Sequence, residues 1–227
     1  MSAAREEILG RLKKALKRDT RPTEAAEKWL ATHNSGVIPA RGADNTENKL
    51  QCFMDEAAAV DASLSRISTI ADLPGAVSEY LAAHNLPTKV RAAPSLADAP
   101  WSSQPMLELS SGIASGDDAV GLSRAFGGVA ETGTLVFLSG PDNPTTVNFL
   151  PPTHIAVVAA SDIAGNYEQV WARIRAASPE IEPGKSTLPR TVNWVTGPSR
   201  TADIEQTLLL GAHGPQRLHI IVIDNDT

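Results

Sequence analysis

Two segments hold the side chains best suited to chemistry. In Val195-Thr-Gly-Pro-Ser-Arg-Thr-Ala-Asp-Ile-Glu205, the residues Gly197, Pro198, Ser199 and Arg200 sit between an apolar run and a helix-forming run. Free backbone N–H groups at such a helix start, the hydroxyls of Ser199 and Thr201 and the guanidinium of Arg200 would hold a carboxylate or phosphate, with Asp203 as an accessory. The same residues have a structural use, in which Ser199 or Thr201 caps the helix and Arg200 pairs with Asp203. The second segment is Gly127-Gly-Val-Ala-Glu-Thr-Gly-Thr-Leu135, which delivers Glu131 just before a buried strand. A carboxylate there can act as base, nucleophile or hydrogen-bond acceptor. Gly133 permits close backbone approach, and Thr132 and Thr134 add hydroxyls. Alternatively, Glu131 satisfies loop N–H groups and the threonines are ordinary strand residues. Ligands of parallel α/β sheets sit beyond the carboxyl ends of the strands, so the two segments are expected to adjoin in one anion-binding crevice.

His154, after Pro151-Pro-Thr153, and His213, in Gly211-Ala-His-Gly-Pro215, are further candidates as acid, base or ligand. Each can equally cap a helix or bond a loop carbonyl. The five histidines show no H-E-x-x-H spacing, and a single cysteine excludes the Cys-rich zinc frameworks, so no metal site is expected. Cys52, beside Phe53 and Met54, reads as a small core hydrophobe. Glu182-Pro-Gly-Lys-Ser-Thr187 ends like a phosphate-binding loop, yet Pro179 stands where the first glycine belongs and Leu188-Pro189 follows instead of a helix.

The chain has 20 basic and 26 acidic residues and a net charge of −6, which offers no surplus for nucleic acid. Arg5, Arg11, Lys13, Lys14, Lys17 and Arg18 alternate with Ile8, Leu9, Leu12 and Leu16 at helical spacing and read as a solvated helix face. No apolar run approaches the roughly 20 residues of a spanning helix, and the first 18 residues lack the apolar core of a secretory signal, so a cytoplasmic location is expected.

Residues 1–61 read as an N-terminal helical arm and linker, with helices at 2–18, 23–32 and 47–60 and Ser2 as a cap of the first. Residues 62–227 read as one α/β domain. Strands are expected at 63–67, 89–92, 107–109, 120–124, 133–138, 155–159, 191–196 and 219–223, and helices at 72–84, 163–177 and 201–210. The 120–124 strand could form a hairpin with 133–138. This alternation predicts a largely parallel sheet covered by helices on both faces.

Ala130-Glu-Thr-Gly-Thr-Leu-Val136, Asn148-Phe-Leu-Pro-Pro-Thr-His-Ile155, Gly197-Pro-Ser-Arg-Thr-Ala-Asp-Ile-Glu205 and Gly211-Ala-His-Gly-Pro215 resemble, in order, the blocks of LUD-domain proteins of the LutC/YkgG type. The resemblance implies a sheet of the NagB/RpiA/CoA-transferase-like kind and a role in oxidising L-lactate to pyruvate with partner proteins that carry iron–sulfur clusters. With one cysteine, this chain is expected to hold no cofactor itself and to work as a subunit, a substrate-binding component or an accessory protein. The alternative is a stand-alone enzyme of the CoA-transferase or sugar-phosphate-isomerase kind, since Glu131-Thr-Gly133 fits the E-x-G pattern of a thioester-attacking glutamate.

Overall fold

The computed structural model describes residues 3–16, 23–32, 36–42, 48–178, 180–182, 185–201, 209–211 and 213–225. In chain order its elements are α1 (Ala3–Ala15), α2 (Thr23–Thr32), α3 (Lys49–Ala59), β1 (Ser63–Thr69), α4 (Leu73–Ala83), β2 (Lys89–Ala92), β3 (Glu108–Ser111), β4 (Val120–Arg124), β5 (Gly127–Val129) and β6 (Thr134–Leu138). There follow α5 (Thr145–Phe149), β7 (Thr153–Ala159), β8 (Ile163–Ala164), α6 (Tyr167–Ala177), β9 (Glu180–Glu182), β10 (Lys185–Ser186), β11 (Val192–Val195), β12 (Arg200–Thr201), β13 (Leu209–Leu210) and β14 (Arg217–Asn225).

The apolar runs of β7 and β14 become inner strands of a six-stranded sheet of order β1-β14-β7-β4-β2-β3, in which every neighbouring pair is parallel. Strands buried on both faces are apolar at successive positions, and each face takes alternate residues. Ile155, Val157, Ile221 and Ile223 pack with Leu73, Val77 and Leu81 of α4. Their neighbours Ala156, Val158, Ile220 and Val222 pack with Phe53 and Ala57 of α3 and with Leu135 and Phe137 of β6. The protein is thus an α/β fold on a parallel sheet flanked by helices.

The second face holds more than helices. A four-stranded sheet of order β11-β6-β5-β8 lies there, and its far side packs Val129 and Val136 against Val170 and Ile174 of α6. Three expectations are corrected by this sheet. The hairpin partner of β6 is β5, while β4 pairs in parallel with β2 and β7. The 191–196 strand runs antiparallel to β6 and does not join the parallel sheet. The helix expected from residue 163 begins at Tyr167, because Ile163 and Ala164 pair with β5 and the Asn166 side chain caps the helix by accepting from the Gln169 N–H.

The chain divides into two units, Met1–Val37 and Ile38–Thr227. In the first, Ile8, Leu9 and Leu12 are exposed along α1 and Leu16 just past its end, and the Ser2 cap lies outside the described residues. In the second stands α3, which the sequence reading grouped with the arm. Its Phe53 and Ala57 are fully buried.

Candidate functional site

The helix expected at 201–210 is replaced, at its described ends, by a pair of short strands. Arg200 and Thr201 pair antiparallel with Leu210 and Leu209, the Ser199 N–H donates to the Pro215 carbonyl, and the Gly211 N–H donates to the Ser199 carbonyl. At these described ends the backbone groups of Ser199 and Gly211 are therefore spent on a strap. Asp203 lies outside the described residues, as do the other positions in 202–208.

Val60 shapes this strap. Gly197 has φ +70°, and a Cβ there would stand 2.3 Å from the Val60 carbonyl oxygen, so only glycine fits. Arg200 Nη2 donates to the same carbonyl at 2.5 Å and to Asp61 Oδ2 at 2.6 Å. Among the described residues its acid is Asp61, reached across the fold, a pairing that sequence distance hides.

Beneath the strap is a cavity of about 260 Å³. Residues 194–200 and 213–215 line it, together with Phe149 from α5, His154 from β7 and Leu218 from β14. It lies at the amino ends of β7 and β14 and the carboxyl end of β11. The expected location beyond the carboxyl ends of the parallel strands is therefore not where Gly197, Ser199, Arg200, His154 and His213 converge. The reason is the second sheet, whose last strand β11 runs antiparallel to β6 and delivers its following loop to this edge.

His154 is the buried polar feature of the cavity. It is fully buried, its Nε2 lies 2.8 Å from Ser123 Oγ, and its Nδ1 has no partner. Burial drives its pKa down to about 3, so the ring is neutral at ordinary pH. His213 is exposed at the rim.

Glu131, Thr132, Gly133 and Thr134 do not line the cavity. Gly133 (φ +62°) lies against α3, where a Cβ would come within 2.2 Å of the Ala57 nitrogen. Packing alone accounts for that glycine of the E-x-G pattern. Glu131 donates its N–H to the Gly165 carbonyl, and its carboxylate lies beside Gly42. Thr132 and Thr134 share hydrogen bonds with the Tyr167 hydroxyl at 2.8 and 3.1 Å, and Thr134 reaches Thr196 at 2.7 Å. Thr196 does line the cavity, so the Glu131 segment supports the site from behind.

Phe149, Trp194, Pro215 and Ser123 are site residues that the sequence reading passed over. Phe149 and Pro215 stood inside quoted blocks. Ser123 gave no signal, because its partner lies on the neighbouring strand. Cys52 is half-buried and its thiol donates to the Ala130 carbonyl at 3.3 Å. Burial, then Glu56, raises its pKa, the opposite of what a nucleophilic thiolate needs. Among the described residues no group of His, Cys, Asp and Glu is placed to hold a metal ion, and no helix is long and apolar enough to cross a membrane.

Fold and cavity define a parallel α/β domain with an accessory sheet and a small polar-bottomed pocket. Residues 114–223 match the LUD domain. Lactate utilization protein C of Geobacillus sp. (strain WCH70) is 43% identical over 95 residues, which are 42% of this chain and 38% of that protein. The protein of the same name from Halalkalibacterium halodurans is 37% identical over 108 residues, 47% of this chain and 44% of that one. The matches thus span about two fifths of those relatives. A crystal structure of a DUF162 family protein from Deinococcus radiodurans shares the fold with a TM-score of 0.54 at 23% identity, covering 77% of this chain and 96% of that one.

Proposed function

We propose that this chain is a non-redox component of a bacterial L-lactate utilisation system, in which it binds a small carboxylate or similar anion in the cavity under the strap. One observation carries the reading. Every residue lining the cavity falls within 114–223, the segment that matches the LUD domain, and relatives of this chain are named for lactate utilisation. Oxidising lactate to pyruvate removes two electrons and two protons, so a redox centre must receive them. An iron–sulfur cluster takes several thiolates, and this chain has one cysteine, engaged with Ala130. In this reading the iron–sulfur clusters that the resemblance implies belong to partner proteins. Arg200 supplies the charge that an anion needs. Both of its contacts with described residues use Nη2, and a guanidinium has further N–H donors on Nε and Nη1.

The test is genetic and biochemical. Deleting the gene abolishes growth on L-lactate, re-supplying it restores growth, and the purified chain alone does not turn lactate over. Undiminished growth of the deletion strain on lactate would refute the proposal.

A further inference from the structure

Every buried side-chain atom left without a hydrogen-bond partner among the described residues belongs to one stretch, 143–154: Asn143 Oδ1, both amide atoms of Asn148, Thr153 Oγ1 and His154 Nδ1. A buried polar group without a partner is costly, so such a concentration marks a place where something polar belongs. Of these residues, His154 also lines the cavity.

The chemistry of His154 narrows what fits. A neutral imidazole is a donor at one nitrogen and an acceptor at the other, and Ser123 Oγ, on Nε2, can play either part. When the serine donates, Nδ1 carries the proton and suits a carbonyl oxygen. When the serine accepts, Nδ1 offers a lone pair and suits a hydroxyl. Around this polar point Phe149, Val195, Pro215 and Leu218 form apolar wall, Thr196 and Ser199 add hydroxyls, and Arg200, bonded to Asp61, stands at the exposed rim.

Resting on the carboxylate reading above, we propose that the cavity takes a short 2-hydroxy or 2-oxo acid, its C2 oxygen on His154 Nδ1 and its carboxylate at Arg200. The Ser123–His154 pair, by exchanging donor and acceptor, admits both oxidation states of that acid. The site then holds the substrate and the product of a two-electron oxidation with comparable strength.

The full chain is titrated with L-lactate, pyruvate and propionate, the last lacking the C2 oxygen, with the tryptophan fluorescence, to which Trp194 in the cavity wall contributes, as the signal. L-Lactate and pyruvate should bind within a few-fold of each other and propionate about tenfold more weakly, the worth of one hydrogen bond. The ¹⁵N resonance of His154 Nδ1 should shift with the first two and not with the third. His154→Phe, which keeps a ring in place, should lower all three to the level of propionate. If propionate binds wild type as well as L-lactate does, or if the Nδ1 resonance ignores the two C2-oxygenated acids while they bind, the His154 inference fails and the carboxylate reading stands. If none of the three binds, both fail.

Discussion

His154 and His219 lie on opposite faces of the six-stranded sheet, since Leu218 is the register partner of His154 and His219 follows it. His219 stacks on Tyr80 with ring centroids 4.0 Å apart and is bracketed by the hydroxyls of Ser63 and Ser65 at 2.9 and 3.1 Å. Burial, then the neighbouring His84, lowers its pKa to about 4, against the opposing effect of Ser63. Both rings are thus neutral when folded, whereas unfolded histidine titrates near 6.5. The unfolded chain binds more protons between these values, so stability falls as pH drops below about 6.5 and the loss is complete near pH 3 to 4. The two rings together contribute a loss on the order of several kcal/mol. Denaturant unfolding from pH 7.5 to 4 should show this, and His219→Gln should flatten the curve relative to wild type. Identical pH dependence in the two proteins would exclude His219 from the effect. At Gly133 the conformation and the Ala57 contact act together, and Gly133→Ala should cost about 3 kcal/mol or more in the same unfolding measurement.

Among the elements, the strap and α3 make contrasting demands. The Arg200–Asp61 pair is largely exposed on the Asp61 side, so it adds at most about 1 kcal/mol to folding. Arg200→Ala should therefore leave the unfolding midpoint nearly unchanged while weakening carboxylate binding by about 1.5–3 kcal/mol. Calorimetry on the variant decides this, and an unaltered affinity would remove Arg200 from the site. In α3, Phe53 is fully buried against the second sheet, and Phe53→Ala should destabilise by about 3–5 kcal/mol. Element existence was legible where periodicity was strong, as in β2, β4, α4, β7 and β14. Pairing was not. A buried strand of the antiparallel sheet, such as β6, and one of the parallel sheet, such as β7, both read as continuous apolar runs, because each is covered on two faces. At 200–201 the expected helix start gives way to a strand pair, held by the backbone hydrogen bonds that Ser199 makes with Pro215 and Gly211.

For the whole molecule, all residues of the three core clusters lie at or after Leu50. A chain beginning at Ile38 should unfold with the midpoint of the full protein, whereas one beginning at Ala62 lacks Phe53 and Ala57 and should not fold cooperatively. Thermal unfolding of the two truncations separates the boundary at 37/38 from the one expected at 61.

The α/β class, the family blocks and the single cysteine were legible in the sequence itself, since local periodicity, motif order and residue count do not depend on what packs where. The site needed the fold. His154, Ser199 and Arg200 were legible as residue types, but their meeting place at the amino edge of the parallel sheet follows from β11 running antiparallel in a second sheet. The Ser123–His154 bond and the Arg200–Asp61 pair join residues 31 and 139 positions apart, and packing holds Glu131 away from the cavity. Such relations arise only when the layers close, because burial, and not sequence distance, decides which polar groups face one another.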